Sequence, residues 1–192
     1  MSRYTELINQ REGLTMALSN RVVEESVIKC VNAISKAFLA GGKLFICGNG
    51  GSAADAQHMA AELVGRFGEE RPGLPAIALT TDSSAITAIA NDWNYEYVFK
   101  RQLEALGRPG DVILGISTSG AYKNVLAALA HARMQGIGSL GLTGATDTMM
   151  QHVCDVLINV GGSSTPIIQE RMLVVEHTIC QLVEEKLRGI LF

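Results

Sequence analysis

Residues 43–66 have the sequence KLFICGNGGSAADAQHMAAELVGR, which contains the local pattern that decides the fold. The apolar run Leu44–Cys47 predicts a short buried strand. Three glycines and an asparagine then indicate a turn, and Ser52 followed by Asp55 predicts the start of a helix. We expect the N–H groups of the turn and of the first helical residues to be unpaired and to benefit from the helix dipole. The stretch therefore predicts a pocket that can bind a phosphate without a lysine.

The helix expected after this turn carries His58, Glu62 and Arg66 at intervals of four residues, which places them on one side of the helix. In isolation, a His and a Glu four residues apart are most often neighbours on a helix surface. Here they follow a predicted phosphate pocket, so they are candidates for an acid/base pair or for metal ligands. The glycine turn alone also has an ordinary structural interpretation, because glycine is common at tight turns.

The remaining chain alternates apolar runs with helical patterns. Further strands are predicted at residues 75–79, 111–116, 137–142 and 155–160. Helical patterns are predicted at residues 3 to about 18 (interrupted by Gly13), 23–38, from 80–84 to about 92, 95–106, 125–132 and 166–186. Strands that alternate with helices predict an α/β fold with a parallel sheet covered on both faces.

The composition excludes several classes of protein. The chain has 192 residues and a net charge of −3, and its sixteen lysines and arginines are scattered, which argues against nucleic-acid binding. Its four cysteines form no C-x-x-C pair and indicate neither a zinc knuckle nor a disulfide framework. No apolar run approaches the roughly 20 residues of a membrane span, and no apolar signal core begins the chain. We therefore expect one compact cytoplasmic domain without a membrane or nucleic-acid partner.

A second loop has the same placement as the first. Ser117, Thr118 and Ser119 follow the strand at residues 111–116 and precede a helix. Two such loops at the carboxyl ends of parallel strands can converge on one ligand where the strand order reverses. Their hydroxyl and N–H groups would hold a phosphate with neutral donors. The alternative is that these residues only cap the following helix.

A nucleotide site is the competing interpretation of the first loop. Residues 48–53, GNGGSA, match the dinucleotide pattern G-x-G-x-x-A after a predicted strand. The acidic residue expected at the end of the second strand is missing, because Glu69 and Glu70 precede that strand and Asp82 follows it too late. A nicotinamide oxidoreductase is therefore disfavoured.

Five motifs occur in a specific order: GNGGSAADAQH at residues 48–58, IAND ending at Asp92, GISTSG ending at Gly120, LTG ending at Gly144, and IQE at 168–170 followed by His177. With them the chain resembles the sedoheptulose 7-phosphate (phosphoheptose) isomerase family of sugar isomerase (SIS) domains, from about residue 5 to 187. The resemblance implies one SIS domain over residues 1–192 with an N-terminal helical segment at about 3–40. It also implies a five-stranded, doubly wound, flavodoxin-like parallel sheet and a homotetramer with active sites between subunits.

The resemblance further implies the residues of the site. Zinc, one ion per subunit, would be bound by His58, Glu62, Gln169 and His177, and Glu62 and His177 would be the catalytic pair. The substrate-binding residues that it implies are Asn49, Gly50, Gly51, Ser52, Glu62, Arg66, Asn91, Asp92, Ser117, Thr118, Ser119, Tyr122 and Gln169. Two imidazoles, a carboxylate and an amide oxygen suit a divalent metal, although Gln is an unusual zinc ligand.

Three positions depart from the family pattern. Tyr122 stands where the family has a serine, which leaves a phenol in place of the last phosphate-binding hydroxyl. Ile167 stands where a basic residue is usual, and Met172 where a histidine is common. We expect these changes to affect substrate fit and to leave the catalytic pair intact.

The function that the resemblance implies is ketose–aldose isomerisation of D-sedoheptulose 7-phosphate to D-glycero-D-manno-heptose 7-phosphate through an enediolate. This reaction is the first step toward the heptose of lipopolysaccharide or related glycans. Our hypothesis is that Glu62 moves the proton between carbons and His177 acts as acid toward the oxygens. The alternative is a non-catalytic SIS module that binds a sugar phosphate or a protein, like the paralogue that binds the replication initiator DnaA. That paralogue lacks equivalents of Glu62 and His177, so their presence favours the enzyme.

Overall fold

A computed structural model describes residues 2–9, 11 and 13–191. Five strands form one sheet in which every neighbouring pair is parallel, in the order β2-β1-β3-β4-β5. They are β1 (Leu44–Cys47), β2 (Ala76–Ala78), β3 (Val112–Ser117), β4 (Gly138–Thr143) and β5 (Val156–Asn159). This is the flavodoxin-like order. The predicted α/β fold with a five-stranded parallel sheet is confirmed.

Eight α-helices occur within the described residues. They are α1 (Arg3–Asn9), α2 (Arg21–Leu39), α3 (Gly51–Val64), α4 (Ser83–Asp92), α5 (Val98–Leu106), α6 (Lys123–Met134), α7 (Met150–Val153) and α8 (Thr165–Leu191). Short 3-10 turns at Met16–Leu18 and Tyr95–Tyr97 precede α2 and α5. Even α8, at 27 residues, lacks the apolar length to cross a membrane, and the same holds for every other helix in the described part of the chain.

The sheet is buried on both faces because helices cover each of them, and the side chains of each strand alternate between the two cores. Leu44 and Ile46 of β1 pack into a core formed with α2, α3 and α8. Phe45 and Cys47 point to the other face, where α5, α6 and α7 cover the sheet. The near-continuous apolar runs of the strands follow from this double burial.

The structure differs from the predicted elements mainly at their ends. The pattern at residues 3 to about 18 is not one helix, because α1 ends at Asn9 and Gly13 has a φ of 77°, which a right-handed helix does not accommodate. The helix α3 begins at Gly51 rather than at Ser52, since Gly50 adopts a positive φ of 56° and ends the turn one residue earlier. The four-residue helix α7 was too short to give a periodic pattern.

Candidate active site

The candidate site lies at the carboxyl edge of the sheet, between β1 and β3. The strand order reverses at this point, which is where open α/β sheets bind ligands. The loop after β1 leads into α3, and the loop after β3 leads into α6. The loops after β4 and β5 lie along the same edge because all strands are parallel. The predicted convergence of the glycine loop and the Ser-Thr-Ser loop is therefore geometrically possible.

The N–H groups of the glycine loop are only partly free. The N–H groups of Ser52 and Ala53 donate to the carbonyl oxygens of Asn49 and Gly50 at 3.1 and 3.0 Å. The expectation that the first helical N–H groups are unpaired is thus wrong for Ser52, because the tight turn consumes that donor. Within the described residues, the N–H groups of Gly50 and Gly51 have no acceptor. These two backbone donors remain for a ligand.

One hydroxyl of the second loop forms no hydrogen bond among the described residues. The Ser117 hydroxyl is buried and accepts a hydrogen bond from the Gly120 N–H at 3.0 Å, so it closes its own turn. The Ser119 hydroxyl accepts a longer bond of 3.4 Å from the Ala121 N–H. Thr118 is 7% exposed, and its hydroxyl has no partner among the described residues. Because a hydroxyl that accepts a hydrogen bond can still donate its own proton, all three remain possible phosphate donors, and Thr118 is the one with no competing bond.

A cavity of about 460 Å³ opens beside this loop. It is lined by Thr118, Ser119 and Ile168 and by residues 144–146 and 162–165. Four further lining residues carry hydroxyl groups: Thr146, Ser163, Ser164 and Thr165. No motif in the sequence indicated these residues, although their position after the fourth and fifth strands was a usable signal.

The helices α3 and α8 bring together three of the predicted metal and catalytic residues. The Nε2 atoms of His58 and His177 lie 2.8 Å apart, at hydrogen-bonding distance, and one donates to the other. The Glu62 carboxylate lies 3.5 Å from the His58 Nε2. The ring of Phe67 packs at 5.6 Å from the ring of His177. The last helix, α8, thus adds His177 to the two polar side chains, His58 and Glu62, that α3 presents.

The fourth predicted ligand, Gln169, lies on the first turns of α8 and contacts the start of α3. Its Nε2 donates to the Asp55 carboxylate, and its Oε1 accepts a long hydrogen bond of 3.5 Å from the Ser52 hydroxyl. Gly51 permits this approach, since a Cβ at that position would lie 3.2 Å from the Gln169 Oε1. Burial raises the pKa of Asp55 to about 6, and nearby His58 partly offsets the rise. Asp55 is a neighbour of the site that the sequence indicated only as part of a helix start.

Comparison with known proteins agrees with the motifs and the geometry. Residues 14–144 match the SIS domain family. The chain is 51% identical over 181 residues to the phosphoheptose isomerase of Roseiflexus sp. (strain RS-1), which covers 94% of this chain and 85% of that relative. The chain belongs to the phosphoheptose isomerase family of SIS domains. The phosphoheptose isomerase of Burkholderia pseudomallei (strain K96243) is 45% identical over 189 residues, 96% of each chain.

Solved structures of phosphoheptose isomerases have the same fold. The enzyme from Francisella tularensis superposes with a TM-score of 0.89 at 31% identity, covering 96% of this chain and 100% of the other. The phosphoheptose isomerase GmhA from Neisseria gonorrhoeae gives a TM-score of 0.82 at 38% identity, with 95% of each chain covered. The resemblance found in the sequence is confirmed.

Other residues implied by the phosphoheptose isomerase resemblance form no hydrogen bond or ion pair with the His58 cluster among the described residues. The Asn91 side chain donates to the Asp92 carboxylate at 3.0 Å, and both residues are exposed at the end of α4. Arg66 is exposed just after α3 and has no hydrogen-bond or ion-pair partner in the described part of the chain. Their roles in substrate binding stay predictions.

The three departures from the phosphoheptose isomerase pattern occupy different environments. Tyr122 does not line the 460 Å³ cavity but a separate one of about 280 Å³, together with Asn49, Tyr95 and Asn124. Its phenol therefore does not simply replace a hydroxyl beside Thr118. Met172 is fully buried in the core shared by α2, α3 and α8, and Ile167 is 8% exposed.

The donor atoms of the predicted zinc site fit a metal in type and nearly in spacing. Donors on a tetrahedral zinc lie about 3.4 Å apart, given bonds of about 2.1 Å. The His58–His177 and His58–Glu62 separations of 2.8 and 3.5 Å are close to this spacing. Across residues 2–9, 11 and 13–191, however, no three His, Cys, Asp or Glu side chains already form a metal cage. The side chains therefore need to rotate before one ion can contact them all.

Proposed function

We propose that the protein is a phosphoheptose isomerase that converts D-sedoheptulose 7-phosphate to D-glycero-D-manno-heptose 7-phosphate. The observation that carries this proposal is the juxtaposition of Glu62 and His58 on α3 with His177 on α8. This cluster lies in a chain that is 51% identical to a phosphoheptose isomerase over 94% of its length. A sugar-binding module without catalysis has no need for a carboxylate and two imidazoles in contact.

In this proposal the two loops of the carboxyl edge hold opposite ends of the substrate. The phosphate accepts hydrogen bonds from the Thr118 hydroxyl and from N–H groups of its loop. The N–H groups of Gly50 and Gly51 contact the sugar near the reacting carbons. Fixing both ends converts proton transfer into a reaction between groups already in place, which accounts for a large share of the rate enhancement.

Glu62 is the proton carrier and His177 the acid in our proposal. Glu62 removes a proton from C1 of the ketose, and the electron pair forms a C1–C2 double bond as the C2 oxygen becomes negatively charged. His177 donates a proton to that oxygen, and it accepts the proton of the C1 hydroxyl when the aldehyde forms. Glu62 then returns its proton to C2. The net change moves two hydrogens and leaves both side chains in their starting states.

We also propose zinc as the metal held by His58, Glu62, Gln169 and His177. When bound, the ion supplies a Lewis acid that polarises the substrate oxygens. Glu62 has two carboxylate oxygens, so one can contact the metal while the other carries the proton. Gln169 would offer its Oε1 to the ion, so its Nε2 would keep the hydrogen bond to the Asp55 carboxylate.

A homotetramer with sites between subunits is part of the proposal. Its support is an apolar groove between the segment before α2, α2 itself and α8, lined by Val23, Val27, Ile28 and Val174. Val22, next to Val23 in the sequence, is 75% exposed, and a partner subunit that covers the groove would bury such apolar surface. Light scattering should give a mass four times that of the 20.5 kDa chain. A cytoplasmic location and a product destined for lipopolysaccharide or related glycans stay predictions.

The deciding experiment incubates the purified protein with sedoheptulose 7-phosphate and follows the aldose heptose 7-phosphate by NMR, with bound zinc measured alongside. We expect conversion to the aldose. Absence of conversion both with and without added zinc, in a protein that still binds the ketose, would support the non-catalytic module instead.

A further inference from the structure

We propose that Tyr95 and Asn124 are positioning residues that brace the glycine loop against the start of α6. The Asn49 Nδ2 donates to the Asn124 Oδ1, and the Asn124 Nδ2 donates back to the Asn49 Oδ1, both at 2.8 Å. The Tyr95 hydroxyl donates to the same Asn49 Oδ1 at 3.1 Å. The inference rests on the proposed function, because the loops it joins are those assigned to the two ends of the substrate.

The bonding of Asn49 decides what this residue can do. Its carbonyl oxygen accepts two hydrogen bonds and its amide nitrogen donates one, all to protein groups. The side chain therefore links three protein segments and keeps one Nδ2 proton unused, and the N–H groups of Gly50 and Gly51 are also left to contact the sugar. Asn124 is itself fixed, since it is 3% exposed and its Oδ1 also accepts from the Val125 N–H at 3.0 Å.

The brace joins three segments at one point. Asn49 belongs to the loop after β1, Asn124 to the first turn of α6 after the Ser-Thr-Ser loop, and Tyr95 to the turn that follows Asn91 and Asp92. The first two segments adjoin the loops proposed to hold the substrate, and the third follows Asn91 and Asp92, which the family resemblance implies as substrate contacts. Paired amides hold the distance between them because both bonds must lengthen together if the loops separate.

This arrangement makes a distinguishing prediction about ligands of different length. A heptose phosphate contacts both loops, so its transition state depends on their separation. Inorganic phosphate occupies only the Ser-Thr-Ser loop and is insensitive to that separation. Loosening the brace should therefore reduce turnover of the sugar phosphate and leave inhibition by inorganic phosphate unchanged, whereas general damage to the phosphate loop would weaken both.

The test compares Tyr95→Phe with Tyr97→Phe. Each substitution removes one phenol hydroxyl from the same turn, but the Tyr97 hydroxyl has no partner in the described residues. Tyr95 is 54% exposed, so its loss of one hydroxyl should not unfold the protein. We expect Tyr95→Phe to lower kcat/KM for sedoheptulose 7-phosphate about 3- to 10-fold, the range for one lost hydrogen bond. The inhibition constant of inorganic phosphate for Tyr95→Phe should stay at the wild-type value. For Tyr97→Phe, both kcat/KM and this inhibition constant should stay at their wild-type values.

A second variant, Asn124→Asp, and a second measurement, hydrogen exchange, test the same contact independently. Asn124→Asp retains the acceptor for the Asn49 Nδ2 but places an oxygen against the Asn49 Oδ1, so it should lower kcat/KM further than Tyr95→Phe. Hydrogen exchange of residues 48–52 should be faster in Tyr95→Phe and Asn124→Asp than in Tyr97→Phe. Unchanged exchange, or a parallel loss of phosphate inhibition, would overturn the brace. Because exchange needs no turnover, an inactive wild type would refute the proposed function and still leave this comparison decisive.

Discussion

Arg71 and Glu184 form a buried ion pair that fastens the loop after α3 to α8. The Arg71 Nε lies 2.7 Å from the Glu184 Oε2, and the two side chains are 2% and 6% exposed. Glu184 also accepts hydrogen bonds from the N–H groups of Phe67, Gly68 and Glu69. The Arg71 guanidinium donates onward to the carbonyl oxygen of Glu62 at 2.9 Å. The pair thus supports the end of the helix that carries Glu62 and His58.

Replacing Arg71 should be strongly destabilising. Arg71→Gln leaves the Glu184 charge buried and unpaired, and losing one partner of a buried pair costs about 3 to 5 kcal/mol. Urea unfolding measures the loss. The matched control is Arg21→Gln, because Arg21 pairs with Glu25 at 2.7 Å but is 89% exposed. That change should cost under about 1 kcal/mol, and equal losses for the two variants would contradict the argument.

The same pair should make stability fall in acid. Burial alone would raise the pKa of Glu184, but the Glu69 N–H, the Arg71 side chain and the Phe67 N–H together lower it below its ordinary value. A carboxyl with a lowered folded-state pKa contributes stability above its unfolded pKa of about 4.3, and this is lost as pH falls through the folded value.

Unfolding free energies of wild type and Glu184→Gln should therefore differ most near neutral pH and converge as the pH falls below about 4. The comparison uses urea unfolding at several pH values. A gap between the two proteins that stays constant down to pH 3 would show that the Glu184 charge contributes nothing.

A second buried carboxyl, that of Glu176, should destabilise the protein, whereas that of Glu184 stabilises it. Glu176 on α8 is fully buried, and neither carboxylate oxygen has a hydrogen-bond partner in the part of the chain that the structure describes. Burial, and then the nearby Asp55 charge, raise the pKa of Glu176 well above its ordinary value. Glu176→Met should stabilise the protein by about 1 to 3 kcal/mol, since it removes an unsatisfied polar group. Glu185→Met on the exposed side of α8 is the control and should change stability by less than about 0.5 kcal/mol.

The sequence was sufficient for the fold because its signals are local. Apolar runs such as Leu44–Cys47 and the glycines after them specify strands and turns within a few residues of themselves. The His58–Glu62 pair was also visible, since residues four apart on a helix are neighbours. Its partner His177 lies 119 positions away from His58, and only the family motifs indicated it.

The finer assignments could not come from the sequence. Asn49 and Asn124 are 75 positions apart, and each alone is an ordinary loop or cap residue. Ser117 and Thr118 have similar side chains, yet one hydroxyl closes a turn and the other is free, because the backbone after β3 decides which way each points. Such differences depend on tertiary geometry and produce no periodic pattern in the sequence.

The free hydroxyl of Thr118 should be important for substrate affinity. Thr118→Val keeps the shape of the side chain and removes the donor, so KM for sedoheptulose 7-phosphate and the inhibition constant of inorganic phosphate should both rise about 10-fold. The thermal midpoint should be unchanged, because no protein group loses a partner. Thr5→Val, an exposed threonine of α1, is the control. Normal phosphate inhibition in Thr118→Val would place the phosphate elsewhere.

Glu62 should be essential for proton transfer and dispensable for phosphate binding. Glu62→Gln keeps the size of the side chain and removes the base, so kcat should fall by a factor of about 100 to 10,000. Exchange of the C1 proton with deuterated water, followed by NMR, should disappear with it. Calorimetry should still detect binding of sedoheptulose 7-phosphate, since the loops at Gly50 and Thr118 are untouched.

Glu70→Gln, a change at an exposed carboxylate after α3, should leave exchange and turnover at wild-type levels. Retained exchange in Glu62→Gln would transfer the role of base to another group, and His177 would be the first to examine because it contacts the same cluster.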